Sequence, residues 1–294
     1  MLHRTSPGKT LLLTGGGLLG KTIAVIQART SSERFPGKVL QPLPADSNIP
    51  MVKRIVESAE EVSEIDDIIV ATTTDETDDP LASYCEDENI QVIRGSVDNV
   101  LSRYCSASEK YRAETVVRLT GDNPLLDTDA LSACIQHHQS AGNDYTNTRG
   151  LPIGMNCEVM AASALKKLCD DMDILSREEK EHVTLRFLND KRFTKSTMKV
   201  ELPKAYANIR LTVDYVSDYL LMNVLFHLKA VSEKSGMDFI EEVKNSRPWI
   251  FDGNRDNIQK KQFGSFSEEK KAAMDMLDRY DMKRVSAFLK KTDG

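Results

Sequence analysis

The chain has 294 residues, of which 40% are hydrophobic, and this length fits one large α/β domain with an appendage or two smaller domains. Its formal net charge is -6 and its pI is about 5.5. A duplex-binding protein usually carries a basic face, so the composition argues against a nucleic-acid partner, although a local cluster of Arg and Lys can still bind a small anion. No apolar run reaches the ~18 residues of a membrane span, which argues against a membrane protein.

The cysteines bear on the compartment of the protein. Their number is odd and no two of them have the CxxC spacing, which argues against both a disulfide framework and a zinc site. Scattered reduced thiols are typical of cytoplasmic proteins. We therefore predict a cytoplasmic protein in which all of these thiols are reduced: Cys85, Cys105, Cys134, Cys157 and Cys169.

The first segment, residues 1–21, contains a glycine-rich stretch that imitates two phosphate-binding motifs. Gly15–Thr22 (GGGLLGKT) fits the P-loop pattern GxxxxGKS/T and the dinucleotide pattern GxGxxG, and it resembles the opening of a Rossmann domain of the short-chain dehydrogenase type. Either site needs a helix immediately after the glycines. Thr22 instead runs into IAVIQ, which has the pattern of a strand, so we interpret residues 1–21 as a leader outside the domain.

From residue 22 onward, short apolar runs rich in β-branched residues alternate with helical patterns. This alternation predicts a mainly parallel or mixed sheet flanked by helices, an α/β fold in which ligands bind at the carboxyl ends of the strands. The predicted strands are Ile23–Gln27, Ile68–Thr73, Gln91–Arg94 and Thr115–Leu119, and the predicted helices are Met51–Val62, Pro80–Asn89, Val97–Lys110 and Asp127–Ala141.

The pattern changes after Asp144, where we expect the chain to complete the sheet and to form a lobe that faces the substrate. From about Gly236 the sequence is helical and strongly charged, which is typical of a solvated helical surface. We predict one domain over residues 22–235 and a helical C-terminal extension over residues 236–294. The further predicted strands are Asn156–Met160, Lys195–Leu202 and Asn208–Val213, with helices that begin at Ser163 and Ser217.

The loop after the first predicted strand, Ala28–Lys38, places Arg29, Arg34 and Lys38 among hydroxyl groups, Gly and Pro. Guanidinium groups bind phosphate oxygens through paired N–H donors, and an ammonium group adds a point charge. At the carboxyl end of a first strand, such a loop suits a triphosphate. Its composition fits a solvated basic turn equally well.

Two aspartates follow predicted strands. Asp122 lies in TGDNPLLD and Asp214 lies in RLTVDY. Mg²⁺ typically takes one or two protein carboxylates and completes its shell with phosphates and water. The two aspartates are therefore a candidate metal pair if the fold brings them together, while an Asx-turn before Pro124 is the alternative role for Asp122.

An ordered set of sequence strings runs through most of the chain: IAVIQARTSSERFPGKVL, IIVATTTDETDDPLA, VIRGSVDNVLSRY, VVRLTGDNPLLD, LPIGMNCEVM, EHVT, RLTVDY and MDFIEEVKNSRPWIFDGN. On these strings the chain resembles the cytidylyltransferases of the spore-coat polysaccharide biosynthesis protein F type, which are related to the CMP-Kdo and CMP-sialic acid synthetases. The resemblance implies a nucleotide-diphospho-sugar transferase fold, which is GT-A-like and Rossmannoid, and a homodimer. It also implies an Mg²⁺-dependent enzyme that joins CMP from CTP to a sugar or sugar acid and releases pyrophosphate.

The resemblance implies roles for individual residues. Asp122 and Asp214 would hold Mg²⁺, while Arg29 and Lys38 would act together with Asp122 in catalysis. The residues that would bind the nucleotide are Ala28, Arg29, Ser32, Arg34, Lys38, Thr72, Thr73, Asp75, Arg94, Asp98, Arg103, Thr120 and Gly121.

The resemblance places Glu158 and His182 in the sugar pocket, although a core or capping role fits His182 nearly as well. We expect His137 and His138 to be surface residues of a helix. The chain departs from the sugar-acid synthetases around TGDNP and in the run QPLPADSNIP. The identity of the acceptor sugar therefore cannot be transferred from any one synthetase.

Two functions of other classes are compatible with the same fold. A glycosyltransferase would take a nucleotide-sugar donor and use a metal-binding DxD triplet at a strand end. Asp127-Thr128-Asp129 has these letters but is predicted to begin a helix. A non-catalytic nucleotide-binding module would keep the fold and need no metal pair.

Overall fold

The computed structural model describes residues 20–257 and 265–291. Within these residues a seven-stranded sheet carries helices on both faces. The strands are β1 (Thr22–Gln27), β2 (Asp67–Thr73), β3 (Gln91–Gly95), β4 (Thr115–Thr120), β5 (Tyr145–Arg149), β6 (Glu158–Ala161) and β7 (Lys195–Lys199).

The helices surround this sheet in the first part of the chain and continue beyond it. The described α-helices are α1 (Met51–Glu60), α2 (Asp79–Asp87), α3 (Val100–Tyr111), α4 (Thr128–Ala141), α5 (Ala162–Asp170), α6 (Arg177–Glu181), α7 (Leu185–Asn189), α8 (Lys204–Ala207), α9 (Val216–Lys229), α10 (Gly236–Ser246), α11 (Phe266–Arg279) and α12 (Lys283–Lys291). Short 3-10 helices span Lys38–Leu40, Glu76–Asp78, Met172–Ile174 and Pro248–Asp252.

The sheet has a parallel half and a mixed half. Its strand order is β3-β2-β1-β4-β6-β5-β7. β1 runs parallel to both β2 and β4, and β2 runs parallel to β3, whereas β6 is antiparallel to both of its neighbours. The predicted mixed sheet is therefore confirmed. Because β1, β2 and β4 share one direction, the loops after Gln27, Thr73 and Thr120 leave the same edge of the sheet.

The core lies on both faces of the sheet, because successive residues of a strand point to opposite sides. Ala24 and Ile26 of β1 belong to a core cluster covered by α1, α2, α4, α9 and α10. Ile23 and Val25 belong to a second cluster under α3, α5 and α7. All four side chains are fully buried, which explains the unbroken apolar run in the sequence.

The strands and helices predicted between residues 23 and 141 are all present, with ends that differ by a few residues. The predicted strand Asn208–Val213 is wrong. Ile209, Leu211 and Val213 are buried in the core. The backbone of this segment forms hydrogen bonds with loops at separate points, including one isolated bridge between Ile153 and Arg210, and does not form a continuous ladder with a strand. The alternation of apolar residues in this segment therefore reflects burial in the core. β5 was not predicted, because its sequence, YTNTR, is mostly polar.

The first compact unit extends to Arg255 and does not end at the predicted boundary of 235. Phe239, Ile240 and Val243 of α10 are buried in the same core cluster as β1, and the backbone N–H of Met237 donates to Asp127 at the start of α4. The second unit begins at Asp256, and in its described part α11 and α12 are joined by an ion pair between Asp278 and Lys290 at 3.6 Å. Among the described residues, no helix is long and apolar enough to cross a membrane.

Most of the glycine-rich stretch Gly15–Thr22 lies outside the described residues, as does most of the predicted leader 1–21. Its last residue, Thr22, is the first residue of β1. A strand therefore follows this stretch where both phosphate motifs require a helix.

Two predictions about individual side chains are wrong. The five cysteines are not all reduced, because Cys105 of α3 and Cys169 of α5 form a disulfide where the two helices lie side by side on one face of the sheet. Cys85, Cys134 and Cys157 are free and buried.

His138 is not a surface residue. It is buried because α4 packs against β5, where its ring nitrogen lies 3.0 Å from the hydroxyl of Thr146. Burial lowers the pKa of His138 to about 4. His137 is exposed, as predicted.

Candidate functional site

The loops after β1 and β4 are packed closely together at the carboxyl edge of the sheet. The backbone N–H of Gly121 donates to the carbonyl of Gln27 at 2.8 Å, and the N–H of Ala28 donates to Ala71 at 3.1 Å. A Cβ atom at position 121 would lie 2.8 Å from the Cβ of Ala28, closer than real Cβ contacts. Glycine at this position therefore allows the two loops to meet.

Asp78, which the sequence did not single out, fixes the loop Ala28–Lys38 to the end of β2. The carboxylate is fully buried and accepts from both the N–H and the hydroxyl of Thr30, each at 2.7 Å. Its other oxygen accepts from the N–H of Thr73 at 3.2 Å and from the hydroxyl of the same residue. Burial alone would raise the pKa of Asp78, but these hydrogen bonds outweigh it and lower the pKa.

Lys38 connects the two predicted metal-binding aspartates. Its Nζ lies 3.4 Å from Oδ2 of Asp122 and 3.1 Å from Oδ1 of Asp214, and it donates to the carbonyl of Val213 at 2.5 Å. The Lys38 side chain is only 9% exposed. The fold thus brings together three predicted site residues at one point, because β1 and β4 are neighbours and Val213 pairs with the backbone of Asp122 at 2.8 Å.

Asp214 is held by further cations. Arg210 lies 2.6 Å from its Oδ2, and Arg34 lies 3.2 Å from its Oδ1. Arg34 also donates to the hydroxyl of Tyr215 at 3.1 Å and lies over the ring of that residue. Burial alone would raise the pKa of Asp214, but Lys38, Arg210 and Arg34 outweigh it and lower the pKa. Asp214 is therefore an ionised carboxylate.

A buried carboxylate behind Asp214 sets its position. Asp218, at the start of α9, is fully buried and accepts from the backbone N–H groups of Asp214 and Tyr215, each at 2.9 Å. It also accepts from Arg210 at 3.1 Å and from Asn254 at 2.8 Å. Asp218 lies in the first turn of the helix predicted from Ser217, where an Asp favourably meets the unpaired backbone N–H groups, and this position is a sequence signal that could have identified it.

Two further predicted residues of the loop Ala28–Lys38 are more exposed than Lys38. Arg29 is exposed, and none of the described residues forms a hydrogen bond or ion pair with its guanidinium group. Ser32 is half-buried, and its N–H donates to the carbonyl of Thr30 at 2.8 Å. Next to them, the hydroxyl of Thr120 donates to Asp122 at 2.7 Å. The side chain of Asp122 therefore binds both Thr120 and Lys38.

The residues predicted for the base and ribose lie where β2 and β3 end. Thr72 and Thr73 are buried, and Asp75 accepts from Thr77 at 2.9 Å in an exposed turn. Arg94 donates to the carbonyl of Thr73 at 2.8 Å and pairs with Asp79 at 2.6 Å.

The remaining two predicted nucleotide contacts differ in burial. Arg103 is 3% exposed and donates to the carbonyl of Ala71 at 3.0 Å. Burial lowers its pKa. Asp98 lies apart from this group in an exposed ion pair with Arg177 at 3.6 Å.

On the predicted acceptor side, Glu158 is the centre of a polar cluster. Its carboxylate pairs with Arg118 and accepts from the hydroxyls of Tyr145 at 2.5 Å and Thr184 at 2.7 Å. Burial alone would raise the pKa of Glu158, but Arg118 and the two hydroxyls outweigh it and lower the pKa. His182 is exposed at the end of α6, two residues before Thr184.

Asp122 and Asp214 are the pair of carboxylates that the sequence predicts to hold a divalent cation. Among residues 20–257 and 265–291, no three or more His, Cys, Asp or Glu residues are grouped to hold a metal by themselves. A pair of carboxylates completed by phosphate oxygens and water is the arrangement that Mg²⁺ commonly adopts. The triplet Asp127-Thr128-Asp129, which has the letters of a glycosyltransferase metal motif, begins a helix as predicted. The carboxylate of Asp127 accepts from the N–H of Ala130 at 2.9 Å and caps α4.

Comparisons with known proteins bear on the family and the fold of the chain. A cytidylyltransferase family model matches residues 23–260. The chain is 35% identical to the spore coat polysaccharide biosynthesis protein SpsF of Bacillus subtilis over 205 residues, which are 69% of this chain and 85% of that protein. A cytidylyltransferase structure from Leptospira borgpetersenii superimposes with a TM-score of 0.70 at 26% identity, covering 82% of this chain and 99% of that one.

A more distant structure shares the fold. CMP:2-keto-3-deoxy-manno-octonic acid synthetase complexed with CTP superimposes with a TM-score of 0.55 at 15% identity, covering 71% of this chain and 99% of that one. The expected nucleotidyltransferase fold is thereby confirmed. The family itself is shown by the family model over residues 23–260 and by the 35% identity to the Bacillus subtilis protein. The chain belongs to the cytidylyltransferase family and is a nucleotidyltransferase.

Proposed function

We propose that this protein transfers CMP from CTP to a hydroxyl group of a sugar or sugar acid. The observation that carries the proposal is the contact of Lys38 with both Asp122 and Asp214 at the edge where β1 and β4 end. This contact brings together the cation that we propose to bind phosphate and the two carboxylates that we propose to bind the metal. An enzyme that acts on a metal–triphosphate complex needs this combination.

In the proposed reaction, the acceptor oxygen attacks the α-phosphorus of CTP in line with the leaving group. A new P–O bond forms, and the bond between the α-phosphorus and the bridging oxygen of the β-phosphate breaks. Pyrophosphate leaves with the electron pair of that bond, and the proton of the acceptor hydroxyl passes to solvent. Phosphoryl chemistry of this kind depends mainly on positioning and on neutralising charge.

The loop Ala28–Lys38 would bind the triphosphate. Arg29 is exposed at the carboxyl end of β1, so its guanidinium group can reach phosphate oxygens. Lys38 would stabilise charge on the leaving pyrophosphate, and Ser32 and Arg34 would complete the contacts. Asp78 holds this loop in place through Thr30.

The chemistry of the donor atoms at Asp122 and Asp214 fits a divalent cation such as Mg²⁺. Carboxylate oxygens are the ligands that this cation prefers, and the ammonium group of Lys38 already lies between the two carboxylates as a positive charge. A bound divalent cation would neutralise phosphate charge and make the α-phosphorus easier to attack. Asp122 and Asp214 would hold it, and Asp218 and Arg210 would keep Asp214 in position.

Residues at the ends of β2 and β3 would contact the base and ribose. Thr72, Thr73, Asp75, Arg94 and Arg103 share this part of the edge, and the position of Asp98 in an exposed ion pair gives it the least support as a nucleotide contact.

The acceptor would bind near Glu158 and His182, with Thr184 linking the two. The names of the relatives, which include polysaccharide biosynthesis and a synthetase of an octonic acid, support a sugar or sugar acid destined for a polysaccharide. The cytoplasmic location and the homodimer stay predictions.

A pyrophosphate-release screen tests the proposal. Each of the four ribonucleoside triphosphates is combined with Mg²⁺ and a panel of neutral sugars and sugar acids. We expect release with CTP and at least one acceptor, together with formation of the CMP-sugar. Release of a nucleoside diphosphate from a nucleotide-sugar would indicate a glycosyltransferase, and Mg²⁺-independent CTP binding without turnover would indicate a binding module; either result would contradict the proposal.

A further inference from the structure

The ammonium group of Lys38 occupies a position that resembles a metal site. Three oxygen atoms surround its Nζ: the carbonyl of Val213 at 2.5 Å, Oδ1 of Asp214 at 3.1 Å and Oδ2 of Asp122 at 3.4 Å. Carboxylate and carbonyl oxygens are also the protein ligands of divalent cations. A cation at that point and the ammonium group would compete for the same oxygens.

The local charge disfavours a second cation there while Lys38 stays. Asp214 already contacts Arg34 at 3.2 Å and Arg210 at 2.6 Å, and its side chain is only 15% exposed. A divalent cation bound beside Lys38 would meet three positive groups around Asp214, which solvent screens only in part. A triphosphate would change this balance, because its negative charge attracts Lys38 as well as the metal.

The length of the Lys38 side chain allows its ammonium group to reach more than one partner. Lys38 is the first residue of the short helix Lys38–Leu40, which follows Gly37 with φ of +69°. The flexible four-carbon stem of a lysine lets its ammonium group reach a different partner. The oxygens of a phosphate bound by the loop Ala28–Lys38 would be such a partner.

We infer that Lys38 is a built-in competitor of the catalytic metal, holding Asp122 and Asp214 together until a triphosphate draws it away and the metal takes its place. The inference rests on the proposed function, which assigns the two aspartates to the metal. It gives Lys38 a second role that a simple phosphate ligand would not have. The metal binds weakly to the empty enzyme and tightly when the nucleotide is present, so the two ligands enter the site together.

The test measures binding of Mn²⁺ alone, in the absence of nucleotide, by electron paramagnetic resonance or titration calorimetry. For Lys38→Met we expect the affinity for Mn²⁺ to rise by on the order of 10-fold over the wild type, the size of a typical coupling between two ligands. The matched control is Arg29→Met, which removes another cation of the same loop that does not contact the carboxylates. Its Mn²⁺ affinity should equal that of the wild type.

A second set of variants keeps the test decisive. Lys38→Gln retains an N–H donor for the carbonyl of Val213 and should show the same gain, and in both variants Mn²⁺ should raise the unfolding temperature more than it does in the wild type. Adding Asp122→Asn to Lys38→Met should remove the gain. An unchanged or lower Mn²⁺ affinity in both Lys38 variants would overturn the inference. Since nucleotide is absent, that outcome is distinct from a failure to release pyrophosphate from CTP.

Discussion

Asp78 gives the sharpest prediction about how the fold supports the site. Its fully buried carboxylate accepts two hydrogen bonds from Thr30 in the phosphate loop and two from Thr73 at the end of β2. In Asp78→Asn, an amide replaces one acceptor oxygen, so at least one backbone N–H loses its partner in a site without solvent. A charge-assisted hydrogen bond and an unsatisfied buried group together correspond to about 2–4 kcal/mol of unfolding free energy.

We expect the same variant to lower kcat/KM for CTP by roughly 10-fold or more, because a shift of the loop displaces Arg29 and Lys38 relative to the triphosphate. Urea unfolding measures the loss of stability, and pyrophosphate release measures the loss of activity. Glu76→Gln is the matched control, since Glu76 lies exposed in the same short helix and its change should stay within about 0.5 kcal/mol. An Asp78→Asn protein as stable and active as this control would refute the reasoning.

The pH dependence of the unfolding free energy gives a second test of the role of Asp78. Its pKa is lower in the folded protein than in the unfolded chain, so the carboxylate stabilises the fold at neutral pH. That contribution is lost as the pH falls below about 4 and through the folded pKa. The stability difference between the wild type and Asp78→Asn should therefore shrink in acid. A difference that stays constant down to pH ~2 would contradict the assignment.

Three further predictions concern other parts of the site and core. Gly121→Ala forces a Cβ against Ala28, so it should cost about 1–3 kcal/mol of unfolding free energy and reduce pyrophosphate release. Gly253→Ala should change neither, because its Cβ would make only an ordinary contact, 3.6 Å from the carbonyl of Ile250. Glu158→Gln leaves the half-buried Arg118 without its counter-charge and should lower the unfolding free energy by about 1–3 kcal/mol, with a rise in KM for the acceptor but not for CTP. His138 has a folded pKa of about 4, below its ordinary value, so stability should fall as the pH drops from about 6.5 to 4, and His138→Gln should lack this slope in acid unfolding curves.

Each of these has a clear contrary result. Equal stability of the two glycine variants would mean that the loops do not meet at position 121. A Glu158→Gln protein with an altered KM for CTP alone would place this carboxylate on the nucleotide side. An identical acid slope in the wild type and in His138→Gln would assign that slope to carboxylates.

The parallel half of the sheet was predictable because its strands are buried on both faces. IAVIQ and TVVRL are continuous apolar runs, and the loops after them carry the charged residues of the site. β5 was not predicted because most of its residues are polar. Its buried side chains form hydrogen bonds with residues of β6, β7 and α4. The segment Asn208–Val213 was misjudged because burial in the core produces the same alternation as a paired strand.

The roles predicted for individual site residues stay predictions, and the contacts between these residues could not be predicted from the sequence. Lys38 and Asp214 are 176 positions apart, and nothing local indicates that the ammonium group lies against both aspartates. Asp78 was missed because the sequence does not reveal which charged residues are buried, whereas Asp218 was missed although its place in the first turn of a predicted helix was a usable signal. The disulfide between Cys105 and Cys169 was missed for a similar reason, since it depends on α3 and α5 being neighbours.

The most direct test of the account is pyrophosphate release by Asp122→Asn, with CTP, Mg²⁺ and the acceptor that the screen identifies. The variant keeps the shape of the side chain but removes one of the two carboxylates at Lys38. The account predicts a loss of roughly 10²–10³-fold in kcat, with an unchanged unfolding midpoint. Asp129→Asn, an exposed position in the first turn of α4, is the control and should retain full activity. Turnover near the wild-type rate in Asp122→Asn would contradict the assignment of this edge of the sheet as the catalytic site.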